Sequence, residues 1–285
     1  MTTYAVTGAT GKLGRLVLDE LLQHTDAANI VALAREPGAL ADYAEKGVHV
    51  RPADYDDPDS LKAAFAGVDR VLLISGNAVG QRERQHGNVI EAAKQAGASY
   101  LAYTSILKGD RSRLALAPEH VATEKLLKNS GLNYDVLRNG WYSENYTGGL
   151  AQSLESGKIF GAVGAGKLST ATRADLAAGA AAALLRGKGG DTYELAGDQA
   201  WTMPEFAAEV SRQSGKPVAY IDQSEAEYAR VLEGAGLPPP IAAMLASTSA
   251  LSAEGELYDE GKDLSRLSGR PTTPISETIA AALKG

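Results

Sequence analysis

The chain of 285 residues contains no cysteine, which excludes disulfides, thiolate nucleophiles, iron–sulfur clusters and Cys-ligated zinc. Aromatic residues are scarce at 6%, with three Phe and two Trp, so several of them in one loop stand out. Basic residues are outnumbered 28 to 35, and the net charge of −7 argues against a nucleic-acid or anionic-membrane surface. No apolar run approaches membrane-spanning length, and no basic segment followed by an apolar one opens the chain. The expectation is therefore a cytoplasmic protein with no membrane insertion and no nucleic-acid partner. Low-complexity tracts and internal repeats of fixed period are also missing.

The chain is rich in glycine, with 31 residues, and three of these punctuate its start. Residues 4–7 read as a short buried strand, and Gly8, Gly11 and Gly14 follow where a strand turns into a helix. Leu13, Leu16, Val17 and Leu21 then repeat at helical spacing. A helix starting there offers unpaired N–H groups and a partial positive charge to a pyrophosphate. The spacing is G-x-x-G-x-x-G, a partial match to the G-x-G-x-x-G fingerprint. The strand before it and the helix behind it supply the context that such a motif needs.

Buried strands at 29–34, 48–51, 69–75, 99–105 and 134–138 alternate with helices at 59–65, 81–97 and 118–130. This alternation predicts an α/β fold, a doubly wound parallel sheet of the Rossmann type, to about residue 140. Ligands of such sheets gather at the carboxyl ends of the strands, here Gly8, Arg35, Asp54, Ser75, Ser105 and Asn139. The expected organisation is a dinucleotide-binding domain over 1–140, rejoined by 171–198. A smaller α/β lobe over 141–170 and 199–285 is expected to cover the substrate. The glycine-rich stretches around Gly148-Gly149 and Gly161–Gly166 read as active-site loops. Short helices are expected at 204–214, 224–233, 240–249 and 274–284, with a strand at 217–221.

The end of the second strand sets the cofactor. A carboxylate there would bind a ribose 2′-hydroxyl, whereas a cation accommodates a 2′-phosphate. Arg35 stands there and Lys12 lies in the first turn, which favours NADPH over NADH. Asn139, Trp141, Tyr142 and Tyr146 make a polar-aromatic loop suited to flank a nicotinamide and stack on a flat acceptor. His120 and Glu124 share a helix face and could relay a proton, or could be a surface polar pair. No third ligand stands at metal spacing, so no metal site is expected. His24, His49 and His86 have no such partner in the sequence.

On these residues the chain resembles the NmrA-like, atypical short-chain dehydrogenase/reductases, a group that includes type 2 NAD(P)H:quinone oxidoreductases and triphenylmethane reductases. The carriers include Thr7-Gly-Ala-Thr-Gly-Lys-Leu-Gly14, Arg51-Pro-Ala-Asp-Tyr55, Ala102-Tyr-Thr-Ser105, Leu137-Arg-Asn-Gly-Trp-Tyr-Ser-Glu-Asn-Tyr146 and Ala171-Thr-Arg-Ala-Asp175. The resemblance implies a cofactor-binding set that starts with Gly8, Ala9, Thr10, Gly11, Lys12, Leu13 and Gly14. Arg35, Asp54, Ser75, Gly76, Asn77, Thr104, Ser105 and Arg173 complete it.

The wider superfamily uses a Tyr-x-x-x-Lys pair on the helix after the fifth strand, and that helix carries no tyrosine here. The only such spacing, Tyr258 to Lys262, falls in a loop of the small lobe. Without a dedicated acid, the chemistry suits acceptors that take hydride first and find a proton in water. The reading is an NADPH-dependent quinone reductase transferring hydride directly to a quinone or similar planar acceptor, without flavin or metal, as a monomer or homodimer. The alternative is a non-catalytic NADP(H)-binding redox sensor. A nucleotide-sugar epimerase would need the phenol–lysine pair.

Overall fold

The computed structural model describes residues 1–284. Strands β1 (Tyr4–Val6), β2 (Ile30–Ala34), β3 (His49–Pro52), β4 (Arg70–Leu73), β5 (Tyr100–Ile106) and β6 (Tyr134–Asn139) alternate with helices α1 (Lys12–Leu22), α2 (Ala41–Ala44), α3 (Pro58–Ala64), α4 (Arg82–Gln95) and α5 (Ala117–Ser130). The chain continues through α6 (Glu144–Thr147), α7 (Leu150–Ser156), β7 (Lys158–Gly161) and β8 (Lys167–Leu168) to α8 (Arg173–Arg186) and β9 (Thr192–Leu195). It ends in β10 (Trp201–Thr202), α9 (Met203–Ser214), β11 (Ala219–Asp222), α10 (Glu225–Gly234), α11 (Pro239–Ala253), α12 (Asp263–Ser268) and α13 (Ile275–Ala282).

The principal sheet has seven strands in the order β3-β2-β1-β4-β5-β6-β9. The pairs from β3 to β6 are all parallel, with Val6 opposite Ala32 and Leu72, and Ser105 opposite Arg138. The order reverses between β1 and β4, and that switch point is where a doubly wound sheet opens a crevice. The doubly wound α/β class read from the strand–helix alternation is the fold observed.

Burial explains why these segments form these elements. One sheet face presents Val31, Leu33, Val71, Leu73, Leu101 and Tyr103 to Leu61 of α3, Val89 and Ile90 of α4, and Leu127 of α5, all nearly inaccessible. At roughly 2 kcal/mol for each large apolar side chain removed from water, this layer is a main stabilising term. On α1 the buried stripe is Leu13, Val17, Leu18 and Leu21, and α1 packs on α8. Helix α8 buries every residue from Asp175 to Leu184, and its run of alanines lets neighbouring backbones approach closely. Its C-terminal carbonyls are capped from the sheet. The Arg70 guanidinium donates to Leu184 O and Gly187 O, both at 2.6 Å, and lies 4.0 Å over the Tyr100 ring.

The chain divides into two compact units. One comprises residues 1–110, 116–139 and 173–193, and the other 111–115, 140–172 and 194 onward. The second holds a parallel β7–β11 pair and an antiparallel β8–β10 pair. Gly148-Gly149 lies between α6 and α7, and residues 162–166 join β7 to β8, so both glycine-rich stretches are connections between short elements. Gly157 at φ +69° ends α7 directly ahead of β7. The short elements around them are too brief to show a period in the sequence.

Candidate functional site

The β1–α1 turn is shaped by two glycines with different tasks. Gly8 sits at φ +59°, a left-handed conformation costly for a residue with a Cβ. At Gly14 a Cβ would lie 2.3 Å from Gly8 O and 2.8 Å from Ala9 Cα, so only glycine lets the helix pass this close to the turn. Gly11 caps α1 without a side-chain hydrogen bond, and no acidic residue stands in the first turn. The positive end of the helix is therefore left for an outside anion, the arrangement a pyrophosphate requires.

This turn forms one wall of a cleft of about 280 Å³ at the carboxyl ends of β1, β2, β3 and β4. Of the expected cofactor residues, Gly8, Thr10, Gly11, Arg35, Asp54, Ser75, Gly76 and Asn77 line it. Ala9, Leu13 and Gly14 do not, because they pack inward and shape the turn from behind. Lys12 is exposed at the start of α1, outside the lining, and Arg173 begins α8. Thr104 and Ser105 also face away. The Thr104 hydroxyl accepts from the Ser75 N–H at 2.9 Å, and the Ser105 hydroxyl donates to Glu124 at 2.6 Å. Both therefore back the wall rather than line it.

Arg35 is exposed at the end of β2, and among the described residues it makes neither a hydrogen bond nor an ion pair. The neighbouring cations and carboxylates are engaged. Arg15 is paired with Asp42, and Asp56 with Arg84, while the Gln85 amide donates to Asp56 at 2.9 Å. The hydrogen bond from Arg84 is the main reason that the Asp56 carboxyl is held below its ordinary value. Arg35 is the guanidinium in the lining whose donors remain unspent.

Several lining residues were not singled out from sequence, notably Tyr55, Ile74 and Gln85. Tyr55 closes a ring behind the switch point. Its hydroxyl donates to Ile74 O at 2.8 Å and shares a hydrogen bond with Thr7, whose oxygen accepts from the Ile74 N–H at 3.0 Å. Burial pushes the Tyr55 phenol well above its ordinary value, so it stays protonated and keeps donating. Its signal was present within Arg51-Pro-Ala-Asp-Tyr55, but nothing in the spacing revealed the partners.

His120 and Glu124 are not joined. The His120 ring bonds the Tyr103 hydroxyl at 2.8 Å, while Glu124 holds Arg138 through two contacts of 2.8 and 3.1 Å. Burial and the nearby Arg82 charge lower His120 to about 3, so it is neutral at physiological pH. His86, read from sequence as lacking a partner, has two. Its Nε2 accepts from the Gly76 N–H at 3.0 Å and its Nδ1 meets the Thr123 hydroxyl at 2.8 Å. At the end of β6, the Asn139 side-chain oxygen is buried without a hydrogen bond, an orphaned acceptor at a strand's carboxyl end.

The aromatic loop divides within the second unit. Tyr146 stands edge-to-face with Trp201, centroids 4.9 Å apart, and contacts Phe206 at 6.3 Å. With Asn145, Phe160, Met203, Tyr228 and Leu232 it lines a cavity of about 380 Å³. Trp141 and Tyr142 are half-buried and do not line that cavity, and Tyr142 bridges to Ala171 instead. Tyr258 and Lys262 lie in the segment before α12. Among the described residues, no group of three His, Asp or Glu side chains could hold a metal ion.

Comparisons with known proteins place the chain in a family. The chain is 49% identical over 277 residues to quinone oxidoreductase 2 of Escherichia coli, covering 97% of each. The crystal structure of the Escherichia coli NADPH-dependent quinone oxidoreductase complexed with NADPH superposes with a TM-score of 0.96 at 48% identity, covering 99% of this chain and all of that one. Triphenylmethane reductase of Citrobacter sp., complexed with NADP(H), gives a TM-score of 0.94 at 38% identity over 98% of this chain and 100% of that one. The NAD(P)H-binding family profile matches residues 8–186, the span that carries the glycine turn, the cleft and α8. The chain belongs to the NAD(P)H-binding, NmrA-like family.

Proposed function

We propose that this protein is an NADPH-dependent quinone reductase that passes hydride directly to a quinone or similar planar acceptor, with neither flavin nor metal. The observation that carries the reading is near-full-length identity of 49% with a quinone oxidoreductase, joined to a cleft lined by the glycine turn and Arg35. The bound nicotinamide supplies the hydride.

The chain's residues do the holding. Gly8, Gly11 and the uncapped start of α1 receive the pyrophosphate, and Arg35 takes the 2′-phosphate. Ser75, Gly76 and Asn77 line the way toward the nicotinamide, and Asn139 offers its unpaired oxygen. Tyr146 lines an apolar-walled cavity of the second unit, with Phe160 and Met203, of a kind that suits a flat acceptor. No proton is drawn from His120, which is neutral, nor from Glu124, which is tied to Arg138. A reduced quinone takes its protons from water, so orientation and exclusion of side reactions are the protein's main contribution.

The test is direct. Protein, NADPH and a small benzoquinone are mixed, and loss of nicotinamide absorbance is followed. Turnover well above the protein-free rate is expected, and none across several quinones would overturn the enzyme assignment. NADPH binding with no turnover, together with a protein partner in pull-down, would instead support a redox sensor. The placement of the protein in the cytoplasm is part of the same reading, and no helix among the described residues is long and apolar enough to cross a membrane.

A further inference from the structure

Between β4 and α4 the chain makes an irregular passage, residues 74–81, that lines the cleft through Ile74, Ser75, Gly76, Asn77 and Ala78. Irregular backbone is usually the least fixed part of a site. This passage is gripped by two helices, each contributing a pair of residues four apart.

From α4, Arg82 Nε donates to Gly76 O at 2.7 Å, and His86 Nε2 accepts from Gly76 N–H at 3.0 Å. Both polar groups flanking one glycine are thus held by one helix face. From α5, one Glu119 oxygen accepts from the Gly80 N–H at 2.7 Å and the Arg82 N–H at 3.2 Å. The Thr123 hydroxyl donates to Glu119 O at 3.0 Å, so it meets His86 Nδ1 as an acceptor. The His86 tautomer follows from its bonds. Nε2 must be bare to receive Gly76, and Nδ1 carries the proton. The ring is fully buried between Tyr55 and Tyr103.

We infer that His86 is a positioning residue for the cofactor: as a neutral acceptor oriented by Thr123, it fixes the Gly76 peptide so that Ser75, Gly76 and Asn77 present a preformed wall to NADPH. The inference rests on the cofactor assignment above, and it adds a residue that does not line the cleft. Preorganisation of this kind acts on cofactor affinity, because binding no longer has to order the loop. Once NADPH is seated, the chemical step should be nearly indifferent to His86.

The experiment compares wild type with His86→Met, which keeps buried volume but removes the acceptor, and His86→Gln, whose amide oxygen can take the place of Nε2. NADPH Kd is measured by fluorescence titration, and kcat and KM for NADPH with a small benzoquinone, alongside Tm. His86→Met should raise Kd and KM roughly tenfold, as expected for one buried donor left unsatisfied, with kcat changed less than about twofold. His86→Gln should restore Kd to within about threefold of wild type. Equal Kd in wild type and His86→Met, or no rescue by Gln, overturns the inference.

Amide hydrogen exchange on the ligand-free wild type decides the same point without any variant. The Gly76 N–H should exchange far more slowly than those of Asn77 and Ala78, and exchange at the rate of an open loop overturns the clamp. Wild type that binds no NADPH would sink the cofactor assignment, while the exchange result still reports on the clamp by itself.

Discussion

Two stretches of backbone line the same cleft, and they are held in opposite ways. The β1–α1 turn is fixed by what its residues lack, since Gly8 and Gly14 tolerate a conformation and an approach that a Cβ would forbid. The β4–α4 passage is fixed by what distant residues provide, with Arg82, His86 and Glu119 supplying its hydrogen bonds. Steric exclusion is local and nearly all-or-none, whereas hydrogen bonds are distributed and graded. The first kind of site should break abruptly and the second by degrees.

The most severe break should come at the first turn. Gly14→Ala places a methyl group 2.3 Å from a backbone oxygen that has little room to retreat, and should destabilise the protein by about 3 kcal/mol or more. Chemical denaturation measures this, and wild-type stability in the variant would mean that the turn can widen.

Acid should loosen the second region next. Burial and the Arg82 charge lower His86 from 6.5 to about 4. The unfolded chain therefore takes up a proton before the folded one does. Stability is fully present above about pH 6.5, and it declines as pH falls through the window between 6.5 and 4. By pH 5 this imidazole alone should account for a loss of about 2 kcal/mol, read as a falling Tm. A His86→Gln variant should show a flatter dependence, and an unchanged slope would place the titration elsewhere.

Smallest is Arg35→Glu, which touches neither turn and sharpens the comparison by separating shape from charge. NADPH should bind about tenfold more weakly relative to NADH, about 1.4 kcal/mol, with the fold unaltered. Equal losses for both cofactors would remove Arg35 from the 2′-phosphate.

The same contrast explains what could be read in advance. Gly8, Gly11 and Gly14 were legible because their spacing and their place between a strand and a helix lie within one short stretch of chain. The doubly wound sheet was legible for a similar reason, since buried strands such as Ile30–Ala34 carry their own apolar runs. The β4–α4 clamp was not, because Glu119 lies 39 residues from Gly80 and only the fold joins them. His120 and Glu124 misled in the opposite sense. Spacing of four put them on one helix, but Tyr103 and Arg138 compete for them and win. In the second unit, β8 and β10 are two-residue strands, too short to impose a pattern on the sequence.

The seventh strand has a consequence for how such a protein can be taken apart. Strand β6 ends at Asn139, yet the sheet beyond it is completed by β9, supplied more than fifty residues later after the chain has built much of the second unit. A fragment ending at Asn139 would leave one side of β6, whose centre from Asp135 to Leu137 is buried, with unpaired N–H and C=O groups. The boundary between the units even falls inside β9, after Tyr193. The first unit is thus not a cassette that can be excised or swapped at a linker. Replacing the second unit means preserving β9 and every point where the chain crosses over.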